Sequence, residues 1–209
     1  MDNAAETARV RRLQDRAARH YDRQIGLVER LLLGDGRAWV CGQARGQVLE
    51  LAVGTARNLE HYPAGVTVTG IELSAEMLAL GRRRAAFLGR PADLRLGDAQ
   101  ALEFPDRSFD TVVCTLGLCT IPDPRRAIAE ACRVLRPGGL VLLLEHVRSP
   151  NAAVRALQRL ADPLTVRFGG DHLTREPLEY LGAEGFLIER AERSKWGVVE
   201  RIRARRGDT

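Results

Sequence analysis

Apolar residues recur at two different periods along this chain, and the change of period divides it into three stretches. From residue 4 to 33 the spacing is helical. Val10, Leu13 and Ala17, then Ile25, Val28, Leu31 and Leu32, return every three or four positions, which predicts one or two amphipathic helices. Gly34-Asp35-Gly36 ends that region, and residues 37–41 predict a further short helix before the turn at Gln43-Ala44-Arg45-Gly46. From Val48 onward, apolar runs of strand length alternate with helical stretches. Strands are predicted over 48–53, 66–72, 92–97, 109–115 and 140–146. A short helix to about Tyr62 and longer helices over 75–88 and 125–135 lie between them. Ser74 is placed to cap the helix that begins at 75, with Met77, Leu78, Leu80 and Leu88 facing inward. Gly89-Arg90-Pro91 breaks that helix, and Arg136-Pro137-Gly138-Gly139 turns the chain into the fifth strand.

The third stretch is less regular. A helix over 151–162 precedes an irregular segment from Pro163 to Asp171, and a helix over 174–184 ends at Gly185. Strands near 186–193 and 197–206, joined around Ser194-Lys195, predict an antiparallel hairpin on one edge of the sheet. Apolar strands that alternate with helices of this length imply right-handed βαβ units and a parallel sheet covered on both faces. The expected fold class is therefore α/β: a Rossmann-like, doubly wound, mostly parallel sheet with a C-terminal antiparallel hairpin. Residues 1–209 are expected to form a single domain, with a helical cap over 1–45, an α/β core over 46–147, and helices plus edge hairpin over 148–209.

Bulk composition narrows the class. A chain of 209 residues with 45% apolar and 28% charged residues suits one soluble globular domain. No apolar run approaches the roughly 18 residues that span a bilayer, and residues 1–22 have no apolar core of a secretory signal. A cytoplasmic location is the default expectation. The net charge is +5, and Lys195 is the only lysine among 32 basic residues. The arginines are interleaved with acids and no recognition motif accompanies them, so no specific nucleic-acid binding is expected. Cys41, Cys114, Cys119 and Cys132 show no C-x-x-C spacing, which suits structural thiols in a reducing compartment. No metal is expected either, because His20, His61, His146 and His172 show no H-x-x-x-H spacing.

The chemistry begins at Val48-Leu49-Glu50-Leu51-Ala52-Val53-Gly54-Thr55-Ala56-Arg57-Asn58, a strand, a tight turn and a helix start. Gly54 can take a positive φ and lets a ligand approach the backbone. Thr55 is placed to cap the following helix, whose free N–H groups favour an anionic group. Glu72 closes the second strand, where a carboxylate suits the two hydroxyls of a ribose.

Five segments, VLELAVGTARNL, VTGIELSAEML, GDAQALEFPDRSFDTVVC, RVLRPGG and LLLEHVRSP, occur in that order. As a set they resemble the class I S-adenosylmethionine-dependent methyltransferases, and most closely the small members that act on quinone rings, phospholipids and thiols. The resemblance covers residues 46–147 and extends more loosely to Tyr21-Asp22 and to His172-Leu173-Thr174-Arg175. It implies a seven-stranded sheet and S-adenosyl-L-methionine as cofactor, with S-adenosyl-L-homocysteine as product. It also implies roles by position. Glu50, Leu51, Ala52, Val53 and Gly54 would wrap the methionine part, with Asn58 close by. Glu72 would hold the ribose, with Leu73 and Met77 beside the adenine. Asp98 would accept from the adenine amino group and Ala99 would supply a backbone contact. Thr115 and Leu116 would line the sulfonium end, and Tyr21 would close the pocket. The family's E/D-x-G-x-G-x-G reads here as Glu50-x-Ala52-x-Gly54-x-Ala56. Ala52 places a methyl where backbone usually meets the cofactor; Ala56 is harmless if it lies inside the first helical turn.

The acceptor is expected to be a small, mostly apolar molecule, with oxygen, sulfur, nitrogen and carbon all open as the accepting atom. His146, at the end of the fifth strand, and His172, in a glycine-rich loop, are the candidate catalytic bases. Val154, Leu157 and Leu160 form an apolar face flanked by Arg155 and Arg159; packing on the sheet is the simpler expectation, and contact with a membrane surface the minor one. A monomer or homodimer is expected. Two alternatives stand beside methyl transfer: a nicotinamide-dependent oxidoreductase, which would want G-x-G-x-x-G where residues 52–57 read AVGTAR, and a non-catalytic relative that binds the cofactor.

Overall fold

The computed structural model describes residues 3–207. A long helix α1 (Asn3–Val28) runs on into one π-helical turn (Glu29–Leu33) and a short helix α2 (Gly36–Cys41). The core follows as β1 (Gln47–Leu51), β2 (Thr67–Glu72), α3 (Ala75–Phe87), β3 (Ala92–Leu96), β4 (Phe109–Thr115), α4 (Pro124–Val134) and β5 (Leu135–His146). The C-terminal part comprises α5 (Ala152–Gly169), α6 (Pro177–Ala183), β6 (Leu187–Ser194) and β7 (Val199–Arg205). All seven strands form one sheet in the order β3-β2-β1-β4-β5-β7-β6. The first five strands pair in parallel; β7 pairs antiparallel to both β5 and β6. The chain reverses direction in the sheet order between β1 and β4, the switch point at which such sheets bind ligands.

Alternation along the central strands divides the core. Leu49, Leu51, Val112, Cys114, Val141 and Leu143 face the side covered by α4 and α6. Val48, Val113, Leu140, Leu142 and Leu144 face the side covered by α2 and α3. These strands are buried on both faces, which is why they read as unbroken apolar runs.

Most predicted elements stand within a residue or two of their expected limits. The Ser74 hydroxyl accepts from the Met77 N–H at 3.1 Å and caps α3 as expected. Three expectations are corrected. The helix expected after the first strand is reduced to one 3₁₀ turn at Leu59–His61. Ala52, Gly54 and Ala56 have φ of 51°, 57° and 59°, and three left-handed residues in five cannot continue a right-handed helix. Ala56 therefore lies in no helical turn, and the Thr55 hydroxyl caps nothing: it donates to Asp22 on α1 at 2.6 Å. Second, β5 begins at Leu135 and runs through the Arg136-Pro137-Gly138-Gly139 turn. Third, α5 does not stop before Pro163 but continues to Gly169, where Gly170 ends it with φ 78°. The ring at Pro163 removes one N–H and frees the Arg159 carbonyl; Arg159 is exposed, so water can serve that oxygen.

The face of α5 that carries Leu157, Leu160, Leu164 and Phe168 is open, with exposures of 67%, 76%, 60% and 71%. The expectation that this apolar face packs on the sheet is thus corrected. α5 is held from its opposite side: Gln158 accepts from the Ser149 N–H and donates to the carbonyls of Val147 and Leu173.

Candidate functional site

The parallel strands β1, β2, β3, β4 and β5 all end on the same edge of the sheet, and α1 lies across that edge. Between them is a cavity of about 600 Å³, in the range of small-molecule sites. Its helical wall is Leu13, Ala17, Tyr21, Ile25, Val28 and Leu32. These residues lie on one stripe of α1 and the turn after it, so the helical periodicity there builds a pocket wall more than a core face. The strand ends contribute Ala52, Gly54, Glu72, Thr115, Leu116 and His146, and Met77 reaches in from α3. A second hollow of about 30 Å³ adjoins the first, sharing Gln14, Ala52, Glu72 and Thr120 with it. It is lined further by Leu73, Asp98, Ala99, Ile121 and Val10. Val10 and Gln14 of α1 form one wall of this small hollow.

Of the residues singled out in the sequence, Tyr21, Ala52, Gly54, Glu72, Met77, Thr115, Leu116 and His146 line the larger cavity. Glu72, Leu73, Asp98 and Ala99 line the smaller hollow together. Met77 belongs to the larger space and not to the one beside Asp98. Glu50, Leu51, Val53, Asn58 and His172 line neither space. Leu51 and Val53 are core residues. The Glu50 carboxylate points the other way, accepting from Asn58 Nδ2 at 2.9 Å and from the Tyr62 hydroxyl at 2.7 Å. Burial is the largest influence on it and raises its pKa to about 7. His172 lies half-buried beside Asp162, 3.9 Å from Nδ1, and burial holds its imidazole below the usual range. The residue before it, Asp171, is the one that faces the cavity.

Glu72 is buried, and burial raises its pKa despite the backbone N–H groups of Ser74, Gly54 and Leu73. One of its oxygens accepts from the Gly54 N–H at 2.9 Å, the other from the Ser74 N–H at 2.8 Å. Each oxygen keeps a second lone pair for a hydroxyl donor. Asp98 accepts from the Gln100 N–H at 2.9 Å and from Gln100 Nε2. A Cβ added at Gly54 would meet nothing nearer than 3.9 Å, so its backbone is open to the cavity.

Two buried groups that the sequence did not single out shape the cavity wall at the ends of β4 and β5. Arg37 donates from Nη1 to Asn58 Oδ1 and to Thr115 Oγ1, both at 2.7 Å, and from Nε to Glu29 at 2.6 Å. Asn58 Nδ2 also donates to Thr115 Oγ1, at 3.0 Å. With both acceptor positions taken, the Thr115 hydroxyl can serve a further partner only as a donor. Glu145 is fully buried and accepts from the N–H groups of Gly117 and Leu118 at 3.0 and 3.1 Å, with its pKa raised to about 7 by burial. A lone acid inside the run Leu142-Leu143-Leu144-Glu145 was the available signal, since a buried carboxylate needs donors. Burial pushes the Cys119 thiol and the Asp171 carboxyl up and the His146 imidazole down. The Tyr21 phenol is pushed up to about 12 by the same cause.

These features fit an adenosyl cofactor: an acid on the tip of β2 and one just past β3 face one hollow, a bare backbone lies beside them, and a greasy space opens beyond.

Comparison with known proteins agrees. The methyltransferase domain family matches residues 49–143. The chain is 43% identical over 125 residues to a phosphatidylethanolamine N-methyltransferase of Cereibacter sphaeroides, covering 57% of this chain and 62% of that one. It is 36% identical over 134 residues to a thiol S-methyltransferase of Rattus norvegicus, covering 62% and 55%. The chain thus spans less than two thirds of either relative. An S-adenosylmethionine-dependent methyltransferase structure from Thermotoga maritima shares the fold with a TM-score of 0.71, at 22% identity over 93% of this chain and 99% of that one. The seven-stranded sheet with its antiparallel end, the paired acids and the family match agree, and over residues 49–143 the chain carries a class I S-adenosylmethionine-dependent methyltransferase domain.

Proposed function

We propose that this protein transfers the methyl group of S-adenosylmethionine to a small, largely apolar acceptor held in the larger cavity. One observation carries the proposal: Glu72 and Asp98 line a single hollow that opens, past Ala52 and Thr120, into a mostly apolar space of about 600 Å³. The cofactor supplies a methyl already activated on a cationic sulfur, so the protein's work is to bind, align and exclude water. Glu72 takes the ribose hydroxyls on its free lone pairs, and Asp98 and Ala99 take the adenine edge. Ala52, Gly54, Thr115, Leu116 and Tyr21 surround the methionine and sulfonium end. His146, on the cavity wall, meets the polar atom of the acceptor. His172 has no part in this proposal. With the family established, the nicotinamide alternative is set aside.

The acceptor class follows from the walls. Leu13, Ile25, Val28, Leu32 and Phe168 offer burial to an apolar molecule, and the relatives named above act on a phospholipid amine and on a thiol. Phe168 lines the cavity and also stands at the end of the exposed Leu157-Leu160-Leu164 stripe. Arg167 borders that stripe, and Arg159 stands farther round on the exposed side of α5. An apolar face with a basic border suits the surface of an anionic membrane, from which a lipid-soluble acceptor enters directly.

Calorimetric titration with S-adenosylmethionine tests the first half. Binding is expected for the unaltered protein and a large loss for Glu72→Gln. Incubation with thiols, quinols and an ethanolamine phospholipid, followed by mass spectrometry, tests the second half. Absence of cofactor binding overturns the proposal; binding without transfer to any acceptor favours the non-catalytic relative.

A further inference from the structure

We propose that Cys119, His146 and Asp171 form a site for one divalent transition-metal ion of the zinc kind at the acceptor end of the cavity. The three residues come from the loop after β4, the end of β5 and the loop after α5. Their ligand atoms all lie within 4.8 Å of one another, and all three residues line the larger cavity. Cys119 Sγ stands 3.5 Å from Asp171 Oδ1. A tetrahedral ion with a metal–sulfur bond of about 2.3 Å and a metal–oxygen bond of about 2.0–2.2 Å separates those two atoms by about 3.5 Å.

A second observation points to a ligand independently. His146 Nδ1 is buried and has no hydrogen-bond partner among the described residues. Buried polar atoms are nearly always satisfied, so an orphan nitrogen in a cluster of donors asks for a partner the protein chain does not supply. The scaffold is also fixed in advance. The Cys119 carbonyl accepts from the His172 N–H at 3.0 Å, joining the two loops. The Asp171 N–H donates to the Thr165 carbonyl at 3.3 Å, and Glu145 pins the backbone of Gly117 and Leu118 just before Cys119. Second contacts of this kind orient metal ligands.

The donor set selects the ion. One sulfur, one imidazole nitrogen and one carboxylate oxygen suit zinc and its neighbours, whereas magnesium and calcium want oxygen alone. Three protein ligands leave a fourth position, and here it faces the cavity. That arrangement is the open, reactive type and not the closed structural type. The expectation of no metal drawn from the sequence looked for two histidines on one helical face; these ligands come from a strand end and two separate loops.

The site deepens the proposed function, and its role rests on the cavity being the acceptor pocket. An acceptor thiol or hydroxyl at the fourth position is acidified by the ion. Its proton leaves to water and its electron pair stays on the sulfur or oxygen. That pair forms the new bond to the methyl carbon as the old carbon–sulfur bond breaks, its electrons neutralising the cofactor sulfonium. The methylated product is an uncharged ether or thioether, a poorer ligand, and departs.

The test is spectroscopic. Protein stripped with a chelator is titrated with Co²⁺ alone and then with Zn²⁺. The expected result is one ion per chain, with visible bands of tetrahedral cobalt and a near-ultraviolet sulfur-to-metal band. Cys119→Ser should abolish the sulfur band, and His146→Ala and Asp171→Asn should weaken binding roughly tenfold or more. Asp171→Cys should keep the ion and strengthen the sulfur band, which guards against variants that merely fold badly. No stoichiometric ion on the folded protein, or a sulfur band that survives Cys119→Ser, overturns the proposal. Cofactor calorimetry on the stripped protein separates the two proposals: intact cofactor binding and turnover without metal removes the ion and leaves methyl transfer standing, whereas a bound ion without cofactor binding removes methyl transfer alone.

Discussion

Glu145 accepts the backbone N–H of Gly117 at 3.0 Å across the ends of two neighbouring strands. That bond holds the turn after β4 against the sheet, and the turn in turn carries Leu116 and Cys119 to the cavity beside Thr115 at the strand end. Gly117 has no room for a side chain there. An added Cβ would stand 2.6 Å from Cys114 Sγ and 3.0 Å from the Ala52 methyl. Both neighbours are fixed, one in the core and one in the cofactor turn. Gly117→Ala should therefore cost about 1–3 kcal/mol of stability and weaken S-adenosylmethionine binding together with it. Urea unfolding and calorimetry measure the two effects; a variant with unchanged unfolding midpoint and affinity would show that the turn is not packed this tightly.

Ala52 itself is under strain. Its φ of 51° lies in the left-handed region, which costs a residue with a Cβ about 1–2 kcal/mol relative to glycine. Its methyl also stands on the cavity wall shared with the smaller hollow. Ala52→Gly relieves the strain but raises the entropy of the unfolded chain, so stability should change by no more than about 1 kcal/mol. Cofactor affinity should rise, because the backbone then lies open as it does at Gly54. Calorimetric titration of the variant decides: an affinity equal to or below that of the parent shows that the methyl is no obstacle.

How far the sequence speaks for the structure depends on the range of the interaction. The Ser74 cap and the strand Phe109–Thr115 depend on neighbours within a few residues, and both stand where the pattern puts them. Glu72, Asp98, Thr115 and Leu116 come from strand ends and the turns just after them, and the topology alone brings them to one edge. Glu50 does not, because its fate is decided by Asn58 and Tyr62, which fold back behind the strand. Thr55 looks like a cap until Asp22 arrives from α1. Arg37 gives no local sign that it joins Glu29, Asn58 and Thr115. The sequence marks His146 alone, and nothing local shows that it meets Cys119 and Asp171, which come from segments far away along the chain.

Glu50 makes the stability of the fold depend on pH in a predictable direction. Burial raises its pKa from the ordinary 4.5 to about 7 in the folded protein. Between those values the unfolded chain has lost the proton while the folded chain keeps it. The contribution of this group is therefore present below about pH 4.5, declines as pH rises to 7, and is level above that. A shift of this size corresponds to a change on the order of 3 kcal/mol. Glu50→Gln removes the titration while keeping an acceptor and a donor for Asn58 and the Tyr62 hydroxyl. Relative to the parent, the variant should gain stability between pH 5 and pH 8. Urea midpoints at those two values measure it, and a difference that does not move with pH would place the Glu50 pKa in the ordinary range.

The exposed stripe on α5 gives the last prediction. Leu160 and Leu164 are 76% and 60% exposed, and neither lines the cavity. Charging them should leave the fold intact, since little apolar area is removed from the protein interior. Contact with a lipid surface behaves differently. Burying each leucine in the interface contributes roughly 1.5–3 kcal/mol, and an added carboxylate also meets repulsion from anionic headgroups. The double variant Leu160→Glu, Leu164→Glu should therefore co-sediment with phosphatidylglycerol vesicles at least about tenfold less than the parent, with an unchanged melting temperature. Turnover of a water-soluble thiol should be unaffected and turnover of a vesicle-borne acceptor should fall. Equal sedimentation of the two proteins would assign the stripe to some other contact, and a lowered melting temperature would show that these side chains pack within the fold.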